Sequence, residues 1–176
     1  MRLLISILFS VLSVQVFAGN NHCSKEEKVV FSCAVNKKIV SICASQNLSP
    51  TAGYMQYRFG KIGAPELLIP QLNEHPLKHV QVDAYQAASG QGGAISFKNG
   101  EYTYSVHWSS YRSDSLTEND SSIWNGESGL KIVRKEKIVA NFKCGKVSSG
   151  DVLEVEPYYL HTQVGFPENG NEGFHI

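Results

Sequence analysis

Residues 94–108 of the chain, AISFK-NG-EYTYSVHW, place Asn-Gly between two runs rich in β-branched and aromatic residues. Asn and Gly tolerate the positive φ that a tight hairpin turn requires, so the segment is expected to fold as two antiparallel strands. The same grammar recurs. Residues 29–45, VVFSCAVNKKIVSICAS, are two apolar runs around Asn36-Lys37-Lys38. A three-residue loop there would put Val29, Phe31, Cys33, Val35, Ile39, Ser41 and Cys43 on one face, whereas a two-residue loop would scatter the apolar set. Residues 53–60 alternate as a third strand, and residues 66–70, ELLIP, form a short fourth strand ended by Pro70. Residues 130–144 read as two strands about a Lys135-Glu136 turn, and residues 151–160 as a last strand.

Between these runs, residues 71–92 are expected to be irregular, with Pro76 breaking any early helix, and residues 109–127 to be a long polar surface loop. No segment carries helical periodicity over three turns. The fold class expected is all-β, a small antiparallel barrel or sandwich with disulfides.

Residues 1–18 read as a secretory signal peptide: Arg2 supplies the positive start, an apolar run follows, and Val16-Phe17-Ala18 forms the small-residue cleavage site. The apolar run is short for a membrane span. The expected organisation is therefore a signal peptide over 1–18, one β-domain over 19–164 and a flexible tail over 165–176, in a periplasmic or secreted protein. In such a compartment thiols oxidise, so Cys23, Cys33, Cys43 and Cys144 are expected to form two structural disulfides. Three pairings are open. Any bridge to Cys144 closes a loop of about a hundred residues and restrains the unfolded chain by roughly 4–5 kcal/mol.

Charge narrows the partners. Sixteen basic residues balance sixteen acidic ones, so no cationic excess exists to bind nucleic acid through counterion release. The ten-residue cysteine spacings suit no common zinc motif, and His75 and His79 in HPLKH lack a third ligand. No cofactor or metal is expected. No GxSxG elbow marks a hydrolase, and His107 would need a carboxylate brought to it in three dimensions. The glycine-rich stretch over 87–93, AASGQGG, exposes Ser89 and reads as a turn before the best hairpin.

The series Phe31-Ser32-Cys33, Val40-Ser41-Ile42-Cys43, Tyr57-Arg58-Phe59-Gly60 and Phe97-Lys98-Asn99-Gly100 resembles an uncharacterised family of small exported bacterial β-proteins. Phe31-Ser32-Cys33, Ala88-Ser89-Gly90 and Phe97-Lys98-Asn99-Gly100 are also similar, in that order, to pieces of the membrane-bound and periplasmic inhibitors of c-type lysozyme. That resemblance implies a β-barrel whose Ser-Gly loop plugs an enzyme's active site. Ser89 and Lys98 are then its binding residues, although Gly92 and Gly93 stand where those inhibitors carry a Tyr.

The function expected is an exported, non-enzymatic binding protein that engages a lysozyme or another cell-envelope protein through Ser89, Gly90 and Lys98. Tyr102, Tyr104 and Trp108 are its aromatic anchors. The alternatives are a secreted hydrolase with a site assembled only in space, and a structural envelope protein.

Overall fold

The computed structural model describes residues 21–88, 90–112, 124–145, 160–161 and 164–166. The expected signal peptide lies outside the described residues, as does nearly all of the segment read as a last strand. Nine strands are described, and they run as two antiparallel meanders. The first sheet holds β1 (Glu27–Val35), β2 (Lys38–Ser45), β3 (Met55–Lys61) and β4 (Ala64–Ile69) in sequence order. The second holds β5 (Val80–Ala87), β6 (Gly90–Asn99), β7 (Tyr102–Arg112), β8 (Trp124–Arg134) and β9 (Lys137–Lys143).

One core lies between the sheets. The first contributes Phe31, Val40, Ile42, Met55, Tyr57 and Ile69, and the second Val82, Ile95, Phe97, Val106 and Leu130. Tyr57 bridges them, its ring centroid 5.9 Å from Phe97 and 5.5 Å from Tyr104. Along one side the sheets are also joined directly: Gly145, just past β9, donates its N–H to the Ala34 carbonyl of β1 at 2.8 Å. Beside that contact Cys33 is bonded to Cys144, while Cys23 is bonded to Cys43. The all-β expectation therefore holds as a two-sheet arrangement with two disulfides, and the described strands form no closed barrel.

The first hairpin corrects the expected register. Val35 pairs with Lys38, so the turn is the two residues Asn36-Lys37, with Asn36 at φ 57°. Phe31 then faces Ile42 and Cys33 faces Val40 on the core side, and Cys43 points to the opposite side. A bulge between Val29 and Phe31 turns Val30 into the core as well. The apolar set is not wasted on solvent, because the outer side of this sheet is itself covered by residues 21–26. Cys43 is 0% exposed and Ser41 is 0% exposed there. The one-sided premise behind the three-residue loop fails for that reason.

Three other boundaries move. Residues 80–87, placed in an irregular stretch, are strand β5, and the glycines after Ser89 continue into β6 rather than forming a link. The polar segment read as a loop over 109–127 gives its first residues to β7 and its last to β8, so β7 and β8 pair from Tyr102↔Arg134 to Arg112↔Trp124. The Asn-Gly hairpin forms one residue later than expected: Asn99 pairs with Tyr102, and Gly100, at φ 60°, starts the turn. Leu160, Val164 and Phe166 are buried in the core cluster, and residues 167–176 lie outside the described residues.

The Lys135-Glu136 turn is where expected, with Arg134 paired to Lys137. Both residues take positive φ, 46° and 66°, a conformation costing non-glycine residues roughly 1–2 kcal/mol each. Replacing Glu136 with Gly should therefore raise stability by about 1 kcal/mol. A rise in urea midpoint without a change in slope would show it, and an unchanged or lower midpoint would contradict the strain assigned to this turn.

Candidate binding surface

Alternation along β6 and β7 sorts the candidate residues onto different sides of the second sheet. Tyr102, Tyr104, Val106 and Trp108 share the side that faces the core, in register with Asn99, Phe97, Ile95 and Gly93. Tyr104 packs against Tyr57, and burial followed by its neighbour Tyr102 pushes its hydroxyl pKa up. Trp108 lies across Gly93, where a Cβ would stand 2.7 Å from its ring, so only glycine admits that ring. Tyr102 sits half-buried at the hairpin tip, with the Arg134 guanidinium 5.4 Å from its ring centroid. Arg134 and Lys135 both donate to the Glu101 carboxylate beside it, at 3.0 and 2.6 Å.

Lys98 is exposed on the opposite side of the same hairpin. Gly90 is buried at the far end of β6, opposite Tyr111. Ser89 lies outside the described residues. The structure thus does not gather Gly90, Lys98, Tyr102, Tyr104 and Trp108 on one patch: three aromatics turn toward the core, and Lys98 and Gly90 stand on the other side at opposite ends.

That outer side is built from residues at alternate positions. Tyr85 of β5, Gly92 of β6, Ser109 of β7 and Glu127 of β8 form one row. Asp83, Ala94, His107 and Gly129 form the next, and Gln81, Ser96, Ser105 and Lys131 the one after. The Tyr85 ring lies across Gly92, where a Cβ would stand 2.8 Å from its Cε1 and 2.9 Å from its hydroxyl. His107 repeats the arrangement over Gly129, at 2.7 Å. Small residues on one strand thus let rings from the next lie down on the sheet. Tyr85 stays 38% exposed and Tyr111 44% exposed, while the His107 Nδ1 is buried with no hydrogen-bond partner among the described residues. Burial, then the charge of Lys131, hold the His107 pKa below its ordinary value, against the opposing pull of Glu127. The imidazole is therefore neutral at pH 7.

The polar groups of this face are engaged with one another. Ser96 and Ser105 share a hydrogen bond of 2.7 Å, Gln81 donates to Asp83 at 3.1 Å, and Lys143 reaches Glu127 at 3.4 Å. Tyr85 and Tyr111 escaped sequence reasoning. The alternation Val80, Val82 against Gln81, Asp83, Tyr85 was the available signal for the first, and it was outweighed by the polar residues and Pro76 before it.

A second polar cluster covers the outside of the first sheet. Arg58 of β3 clasps the Glu27 carboxylate with both terminal nitrogens, at 2.5 and 2.8 Å, and donates to the His22 carbonyl at 2.7 Å. The Tyr54 hydroxyl and the Ser24 N–H also donate to Glu27, each at 2.7 Å. Burial pushes the Glu27 carboxyl up, but these donors, Arg58 first, outweigh it and hold the group below the usual carboxylate range. His22, beside Cys23, is spent on the Ile39 and Gly60 carbonyls at 3.2 and 3.3 Å. Arg58, Tyr54 and the Ile39 and Gly60 carbonyls tie residues 22–27 to the sheet, so the chemistry of this cluster is that of a clamp.

His75 and His79 flank a single 3-10 turn, Pro76–Lys78, instead of sharing a helix face. His75 contacts the Ser49 carbonyl at 2.9 Å, and His79 faces Glu74 at 3.7 Å. Among the described residues no three His, Cys, Asp or Glu side chains converge as metal ligands, and no helix is long and apolar enough to cross a membrane. Neither a family model, nor a curated protein, nor a solved structure matches this chain.

Proposed function

We propose that this chain is an exported, non-enzymatic binding module that engages a macromolecule of the cell envelope through the outer face of its five-stranded sheet. The observation that carries the reading is the pair of tyrosines on that face, Tyr85 and Tyr111, more than a third exposed on a rigid sheet. Aromatic side chains fixed on strands lose little freedom on binding, so their contact area translates into affinity more fully than that of mobile loops. Two disulfides support the exported part of the reading, since such bonds persist where thiols are oxidised. The buried and half-buried ionisable groups support the non-enzymatic part: Glu27, Arg58 and His22 are all held in structural contacts, and the His107 Nδ1 has no hydrogen-bond partner among the described residues.

The resemblance in Phe31-Ser32-Cys33, Ala88-Ser89-Gly90 and Phe97-Lys98-Asn99-Gly100 favours a narrower form, in which the macromolecule is a lysozyme blocked by the Ser89 turn. Both forms are tested together. The oxidised protein is incubated with c-type, g-type and i-type lysozymes and residual lysis of cell-wall substrate is measured, and its co-sedimentation with envelope fragments is measured in parallel. Stoichiometric inhibition, removed by Ser89→Asp, is the result expected of the narrower form. Co-sedimentation weakened by Tyr85→Ala is the result expected of the broader one. A protein that neither inhibits nor co-sediments has no place in the binding reading.

A further inference from the structure

We infer that the ligand of the Tyr85–Tyr111 face is an uncharged oligosaccharide chain, an inference that rests on the binding-module reading above. The register sets the dimensions. Tyr85 lies in one row with Gly92 and Ser109, and Tyr111 stands two residues farther along β7. Two strand spacings across and two residues along separate their Cα atoms by roughly 12 Å. That is the reach of a di- to trisaccharide laid over both rings. Between them Gly90 and Gly92 of β6 present no side chain, so nothing on the intervening strand stands higher than the Tyr85 ring lying on it.

The chemistry of the face points to a sugar over other ligands. A pyranose ring offers one side lined with C–H groups, which carry partial positive charge, and the face of a phenol ring is the negative end of its quadrupole. Hydroxyls projecting from the sugar's rim need donors and acceptors at the border of the aromatic pair. Ser109 shares the Tyr85 row and Asp83 stands in the next row on β5, while Ser96 and Ser105, bonded to each other, lie one row farther from the pair.

Charge argues the same way. The face carries Asp83 and Glu127 against Lys131, Lys143 and, at its hairpin end, Lys98, and the contact between Lys143 and Glu127 already joins opposite signs. No field of one sign is left for a polyanion. An extended peptide would pair through its backbone along the β5 edge, whereas Tyr111 stands on the central strand β7, two strands in from that edge. A lipid surface would need a continuous apolar patch, and here serines and charges divide it.

The test uses the oxidised full chain with two named probes, chitohexaose and cellohexaose. Calorimetric titration should give saturable binding to at least one. Tyr85→Ala and Tyr111→Ala should each weaken it at least tenfold, and Tyr85→Phe should stay within about threefold of the parent. Saturation-transfer NMR on the unaltered protein supplies a readout independent of any variant's folding: ring C–H protons of the sugar should receive magnetisation from tyrosine rings. Absence of saturable binding to both sugars overturns the inference, as does binding that both alanine variants retain. If Tyr85→Ala abolishes co-sedimentation with envelope fragments while neither sugar binds or competes, the saccharide inference falls and the binding-module reading stands. If co-sedimentation itself never occurs, the reading falls first.

Discussion

Replacing both Cys33 and Cys144 with alanine should lower the free energy of unfolding by about 4–5 kcal/mol, the larger of two unequal disulfide effects. The bond closes a loop of 111 residues, and in the chain-entropy account that restraint falls on the unfolded state. The Cys23–Cys43 bond closes only 20 residues, for which the same account gives about 3 kcal/mol. The larger bond also joins the two sheets directly, next to the Ala34–Gly145 bridge. Urea denaturation of the two double-alanine variants beside the oxidised parent measures both effects. Equal losses, or a greater loss from the short loop, would mean that native packing around the sulfurs and not loop length sets their value.

Arg58→Met should cost about 3–5 kcal/mol at pH 7, because it leaves the Glu27 carboxylate buried without its counter-charge. The Glu27 side chain is 4% exposed and that of Arg58 is 14% exposed, so solvent screens the pair weakly. The pH dependence gives the effect a signature. In the parent, Glu27 has a lowered pKa, so its contribution is complete above the unfolded carboxyl pKa and fades as pH falls through the folded one. In the variant, burial without Arg58 raises that pKa, and acid then favours the folded form's neutral carboxyl. The deficit should therefore shrink between pH 7 and pH 4, and adding Glu27→Gln should restore part of it. A loss below about 1 kcal/mol, or one that does not change with pH, would place this pair among surface ion pairs of little worth.

Much of the fold was legible because turns and alternation are local signals. The Lys135-Glu136 turn, the hairpin around Asn99-Gly100 and the strands flanking Asn36 each announce themselves within about fifteen residues. The register of the first hairpin was not local. It depends on residues 21–26 folding over the outer side of β1–β3, which makes both sides of those strands buried and removes the one-sided logic that favoured a longer loop. Strand β5 was hidden for a different reason: its core-side positions are Val80, Val82, Ala84 and Gln86, of which only the two valines are large and apolar, so composition argued against its periodicity.

The candidate site suffered from the same two-sidedness. Tyr102, Tyr104 and Trp108 look from sequence like an exposed aromatic stripe, and alternation alone cannot say which side of a sheet meets another sheet. The second sheet's outer side is recognisable only once Gly92 is seen under Tyr85 and Gly129 under His107. Those pairings join strands through registers that no sequence window contains.

The interlacing of the two disulfides has a mechanical consequence. Cys33 falls inside the Cys23–Cys43 loop, and its own partner lies far outside it. A force applied to the two ends of the oxidised chain reaches Cys33 both directly and through the Cys23–Cys43 bond, and passes from there straight to Cys144, so residues 44–143 never enter the stretched path. At about 3.3–3.6 Å per residue, roughly 350 Å of contour stays slack under load. The second sheet, with its tyrosine face, lies almost wholly within that shielded length. Tension on a tethered copy would pass the sheet by, and only a reductant would bring it into line.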